Sequence, residues 1–167
     1  LFLLIVACAG GAIIDSETWT NDSRGPALAF CRKWDSRLRI VRVDSAGLGF
    51  YFAEAIRDRG YRTEGINVSG SATDKERFAN SKAERYWCLR ERFQRGEVSG
   101  LTDEMLSELA AITWLIDTRG AIAIEGKVEV KAALGHSPDL AEALMIAIGS
   151  PSLEPMSWTA APAIPTP

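Results

Sequence analysis

Residues 39 to 68 constrain this chain more than any other stretch, because they read as strand, glycine turn, helix and second strand in quick succession. Arg39-Ile40-Val41-Arg42-Val43-Asp44 alternates in character and is rich in β-branched residues, which suits a half-buried strand. It ends in Ser45-Ala46-Gly47-Leu48-Gly49, where Gly47 and Gly49 let the backbone bend sharply. Residues 50 to 59 then read as a short helix stopped by Gly60, and Glu64-Gly65-Ile66-Asn67-Val68 as a further strand. A strand that returns through a helix to a second strand implies a right-handed parallel crossover, so the chain needs a sheet covered by helices. The expected class is α/β.

The flanking segments supply the rest of such a fold. Residues 1 to 19 read as two antiparallel strands around a Gly10-Gly11 turn, with Trp19 closing the second. The apolar opening, Leu1 to Cys8, lacks a basic leader and is too short to span a membrane, so a buried strand is expected there, not a signal peptide. A loop through Asn21, Asp22, Ser23, Gly25 and Pro26 leads to a helix with Leu28, Phe30, Cys31 and Trp34 at roughly helical spacing. In the second half, residues 74 to 96 read as one long charged helix and residues 106 to 112 as a shorter one. Residues 113 to 127 read as two strands joined at Asp117-Thr118-Arg119-Gly120. Residues 150 to 167 carry five of the seven prolines, so the expected domain is residues 1 to 149, followed by a tail or linker.

Composition narrows the function classes. With 167 residues, 47% hydrophobic and 25% charged, one domain with a core is expected. A net charge of −3 argues against a generally basic nucleic-acid binder, although a nuclease needs only a local basic face beside clustered carboxylates. Three cysteines without a Cys-x-x-Cys pair indicate neither a disulfide framework nor a zinc site. No Gly-x-x-x-x-Gly-Lys-Ser/Thr pattern occurs, so ATP hydrolysis is not expected.

Two carboxylate positions could carry chemistry. Asp44 stands at the carboxyl end of a parallel strand, the edge where open α/β sheets bind ligands. It could equally cap the helix that follows. In Ser137-Pro138-Asp139-Leu140-Ala141-Glu142-Ala143-Leu144, Ser137 suits an N-cap, Pro138 a first helical residue, and Asp139 a first turn, with Glu142 on the same face. That pattern also suits a purely structural helix start.

Their order and context go further. The run Arg42-Val43-Asp44-Ser45-Ala46-Gly47-Leu48-Gly49 resembles the second acidic motif of viral terminase large-subunit nuclease domains. Ala72 with Phe78-Ala79-Asn80-Ser81-Lys82-Ala83-Glu84 is similar to the family's segment after the next strand, and residues 137 to 144 resemble its third acidic motif. The resemblance covers residues 1 to 149. It implies a ribonuclease H-like mixed sheet flanked by helices, acting as a metal-dependent endonuclease on concatemeric, double-stranded viral DNA during genome packaging. By the same resemblance, Asp44 and Asp139 bind two divalent ions, Mg2+ or Mn2+, that lie about 4 Å apart. Glu142 stands where the family has a second aspartate and is a further catalytic candidate. The implied partners are an ATPase domain in the same polypeptide, the terminase small subunit and the portal, in the cytoplasm of the host cell, with no membrane.

Lys82, Lys127, Lys131 and His136 are candidate contacts to DNA phosphates, alongside the ordinary reading of a salt-bridged surface. Trp87 and Phe93 follow helical periodicity and are expected in the core. The family's first strand, which bears another metal-binding aspartate, has no counterpart here. Asp15 and Glu17 are near in sequence but belong to what should be the third strand. The chain is therefore expected to be a poor nuclease, with Leu1 to Val6 sliding inward to pair with residues 39 to 43. Alternative readings are another ribonuclease H-like nuclease, such as a junction resolvase, or a catalytically silent prophage remnant that packs or binds a partner.

Overall fold

The computed structural model of the chain describes residues 2 to 20, 24 to 45 and 49 to 151. The elements run β1 (Phe2–Ala9), β2 (Ala12–Thr20), α1 (Arg24–Lys33), β3 (Val41–Asp44), α2 (Gly49–Arg57), β4 (Thr63–Ile66), α3 (Ser81–Gln94), α4 (Asp103–Ala110), β5 (Trp114–Ile116), β6 (Ile122–Ile124), α5 (Lys127–Leu134) and α6 (Asp139–Ile148). Of the expected features, Leu1, the loop at residues 21 to 23, residues 46 to 48 of the glycine turn and residues 152 to 167 of the tail lie outside the described residues.

The crossover forms as its pattern requires. β3 and β4 are parallel, with Asp44 opposite Ile66, and α2 connects them. Leu28, Cys31 and Ile56 of α1 and α2 make a small core with Val41 and Val43. α6 contacts both β3 and β1. Its apolar residues Leu144, Met145 and Ile148 join Leu89 of α3 and Met105 of α4 in the main core, and all five are essentially fully buried. No described helix is long and apolar enough to cross a membrane.

The expected inward slide of the first strand does not occur. β1 pairs with β2 around Gly10, which has φ +65°, and among the described residues the ladders are three separate pairs, β1-β2, β3-β4 and β5-β6. The pairs include both parallel and antiparallel ladders without joining into one sheet. α6 packs on both β1 and β3 and so links the two pairs without a shared ladder. Arg42 strengthens that link: its Nε donates to Glu64 across the β3-β4 ladder at 2.9 Å, and its Nη1 donates to the Ala147 carbonyl of α6 at 2.9 Å.

The long helix expected over residues 74 to 96 is helical only over Ser81–Gln94. The side chain of Asn80 accepts from the Ala83 amide at 2.9 Å, which caps the helix there. The Glu84 carboxylate turns back to accept from the amides of Thr73 and Asp74, and the Ile122 backbone of β6 bonds to Arg77 and Ala79. Residues 73 to 79 are thus committed to loop and sheet-edge contacts. α5 was not anticipated; it begins at Lys127 and ends at Gly135, whose φ of +81° suits a left-handed cap.

Candidate functional site

Asp44 is the last residue of β3, and the next amide, Ser45, donates to the Ile66 carbonyl at 2.9 Å. Gly49 opens α2 directly against it. A Cβ on Gly49 would lie 1.6 Å from the Asp44 carbonyl oxygen, so the return of the chain beside this carboxylate-bearing residue requires glycine.

The start of α6 differs from expectation. Pro138 is the cap position and Asp139 the first helical residue, and no side chain of the cap itself bonds to the helix. Ser137 contributes its carbonyl, which accepts from the Asp139 amide at 2.9 Å. Capping comes instead from another helix. Glu108 of α4 is 3% exposed and accepts from the Ala141 amide at 2.9 Å and from the Leu140 amide. Burial pushes the Glu108 carboxyl above its ordinary range, and the two amides pull it only part of the way back. His136 Nδ1 lies 3.6 Å from Glu108 Oε1 on the exposed side.

Glu142, one turn into α6, is held by two cations. Lys82 Nζ of α3 donates to Oε1 at 2.9 Å, and Lys127 Nζ of α5 donates to Oε2 at 3.1 Å. Burial alone would raise the Glu142 carboxyl, but the bonds and charges of Lys82 and Lys127 more than offset it and hold the group below the ordinary range. The expected basic residues therefore divide. Lys82 and Lys127 converge on Glu142, His136 sits beside Glu108, and Lys131 is exposed on α5.

A continuous set of contacts links the two acidic motifs. Asp44 pairs with Ile66; the Val68 carbonyl just beyond accepts from the Lys82 amide at 2.9 Å; the Lys82 side chain then reaches Glu142 beside Asp139. Among the described residues no group of three or more His, Cys, Asp or Glu is arranged to hold a metal ion. Asp44 and Asp139 nonetheless offer hard oxygen donors. These suit an ion such as Mg2+, which keeps several waters and binds through one or two carboxylates plus substrate phosphate. Asp15 and Glu17 serve elsewhere: Asp15 accepts from Trp34 Nε1 at 2.9 Å and pairs with Lys33 at 2.7 Å, and Glu17 pairs with the same lysine. Phe93 packs on the main core and Trp87 on the smaller cluster around Phe78.

Sequence reasoning passed over Glu108. Its signal was its spacing: Met105, Glu108 and Ile112 fall on one helical stripe, so a carboxylate stood on an apolar face.

Similar architecture occurs in solved phage proteins. The nuclease domain of the large terminase subunit of bacterial virus Sf6 aligns with a TM-score of 0.66 at 22% identity, over 81% of this chain and 76% of that one. A lysine-to-alanine mutant of the same domain, solved with manganese, aligns with a TM-score of 0.66 at 21% identity, over 81% and 78%. The large terminase nuclease from thermophilic phage G20c with bound magnesium gives 0.57 at 20% identity, over 83% and 67%. No protein-family model and no curated protein matches the sequence. What is shared at these identities is architecture, and the chain has the ribonuclease H-like α/β fold of the phage large-terminase nuclease domains.

Proposed function

We propose that this chain is a divalent-metal-dependent nuclease domain that cuts double-stranded viral DNA during genome packaging, as a terminase nuclease would. The observation that carries this reading is the run of contacts from Asp44 through Val68 and Lys82 to Glu142, within a fold shared with terminase nucleases. In this reading Asp44 and Asp139 hold Mg2+ or Mn2+, as a pair of ions. Such ions, when bound, activate a water and stabilise the leaving oxygen of a phosphodiester. Glu142 fixes the ammonium groups of Lys82 and Lys127, so that the catalytic end presents oriented positive charge to a DNA phosphate. Lys131 and His136, both exposed nearby in sequence, extend that contact to neighbouring phosphates. An ATPase domain, the terminase small subunit and the portal are the partners this role calls for, in the cytoplasm of the host cell.

A second reading has its own support. Both carboxylate oxygens of Glu142 are engaged by Lys82 and Lys127, which favours a weakly active or silent domain that retains the nuclease fold. Supercoiled plasmid incubated with the chain and Mn2+ separates the two. Slow, metal-dependent nicking that disappears in Asp44→Asn and in Asp139→Asn supports the nuclease. Nicking indifferent to both substitutions, or no nicking at any metal concentration, overturns it in favour of the silent domain.

A further inference from the structure

The geometry points to Glu108 as the positioning residue of the α6 carboxylates, a side chain on a separate helix that fixes where Asp139 and Glu142 stand. The inference rests on the reading of Asp139 as a metal ligand. The first amides of a helix have no partner within it and need an acceptor from outside. Here the cap position is Pro138, which offers no side-chain acceptor. Glu108 fills the need from α4, accepting from Leu140 and Ala141, the residues immediately after Asp139.

Burying a carboxylate is costly, and Glu108 at 3% exposure has only one long ion-pair contact among the described residues. Its nearest cationic candidate, His136 Nδ1, is 3.6 Å away and belongs to an exposed side chain. A surface cap such as a serine would satisfy the amides more cheaply. What the buried carboxylate adds is a fixed anchor between two packed helices: Met105, three residues before Glu108, and Ala141, one of the regions it bonds, are both essentially fully buried. The first turn of α6, carrying Asp139 and Glu142, is thereby held against α4. Lys82 and Lys127 hold the same turn from α3 and α5 through Glu142. Outer groups that orient ligands in this way typically change metal affinity by about 10- to 100-fold when removed.

The test measures Mn2+ affinity of the full 167-residue chain by calorimetric titration, with folding followed by circular dichroism. Glu108→Met keeps length and helix propensity but removes both acceptor oxygens. It is expected to stay folded and to bind Mn2+ about ten-fold or more weakly. Glu108→Gln, which retains an acceptor oxygen, is expected to recover most of that loss. Met105→Ala, which loosens the same helix without touching the acceptor, should leave Mn2+ affinity unchanged, and this separates positioning from general loosening. If Glu108→Met does not fold, Glu108→Asp carries the comparison, because its shorter side chain draws the acceptor away from the amides while keeping the charge. Wild-type affinity in whichever of these folds overturns the inference alone, provided Asp139→Asn abolishes binding. Binding that survives Asp139→Asn, or absence of binding in the wild-type chain, removes the metal site and this inference with it.

Discussion

The two candidate carboxylates are carried by elements built in opposite ways. α6, which carries Asp139, is gripped on several sides: Ala141 and Leu144 are 0% exposed, Glu108 bonds its first amides, and Lys82 and Lys127 pin Glu142. β3, which carries Asp44, is half-buried along its whole length and has one ladder partner, β4, among the described residues. Its other described ties include the Arg42 side chain, the close approach of Gly49 and the packing of Val41 and Val43 on the small core of Leu28, Cys31 and Ile56. Side chains from three helices hold the first turn of α6, whereas β3 rests on backbone pairing with one strand, one guanidinium and a smaller core. Stability is not uniform across a fold, and elements with fewer buried contacts open at lower free energy. One half of the candidate site should therefore be stiff and the other half easier to displace.

Truncating the core beneath each element tests this contrast most strongly. Leu144→Ala removes a fully buried side chain of α6 and should cost about 2 to 5 kcal/mol. Val43→Ala trims a half-buried side chain of β3 and should cost about 1 kcal/mol, given roughly 0.8 kcal/mol per fully buried methylene. Urea unfolding of both variants checks the ratio. Equal losses would mean that the two elements are held alike and would remove the asymmetry.

The same contrast decides what could be read from sequence. β3, α2 and β4 were legible because their signals are local: β-branched alternation, a glycine turn and Gly60 as a stop. The hairpin of β1 and β2 was legible for the same reason, through Gly10-Gly11. The start of α6 was misread by one position because Ser137 and Pro138 satisfy local capping rules, while the acceptor in use, Glu108, comes from 33 residues away. α3 was extended too far because Asn80 and Glu84 look like ordinary residues of a charged helix until their bonds to Ala83, Thr73 and Asp74 are known. Pairing between ladders was not legible at all. Nothing in the apolar run of residues 1 to 6 says whether it buries against a strand or, as here, serves a hairpin packed on α6.

Arg42 gives a smaller and more selective test. Its side chain ties β3 to α6 through the Ala147 carbonyl at 2.9 Å, and it also bonds Glu64 on β4. Glu64 is 46% exposed at its side chain, so that ion pair contributes little, and the bond to the carbonyl dominates. Arg42→Ala should cost about 1.5 to 3 kcal/mol, in line with hydrogen bonds made by charged groups. Hydrogen exchange should quicken in β3 and β4 and remain slow in the first turn of α6. Faster exchange spread evenly over both would show that α6 depends on β3, contrary to the asymmetry.

The smallest effect expected is one of pH, and it isolates the grip on Glu142. The folded-state pKa of this carboxyl lies below its unfolded value, because Lys82 and Lys127 favour the charged form more than burial opposes it. A depressed carboxyl contributes stability that is fully present above its unfolded pKa of about 4.3 and disappears as pH falls through the lower folded value. Glu142→Gln removes that contribution and leaves the side chain's size nearly unchanged. The wild-type chain should therefore be more stable than the variant at about pH 7, with the difference narrowing as pH falls toward about 3. Glu108 runs in the opposite sense: its raised carboxyl contributes most below the unfolded pKa, and the contribution falls as pH rises through the folded value. Urea midpoints for both chains across that range supply the measurement. A gap that stays constant with pH would mean that the two lysines are exchanging freely with solvent, and that the first turn of α6 is held by Glu108 and the core alone.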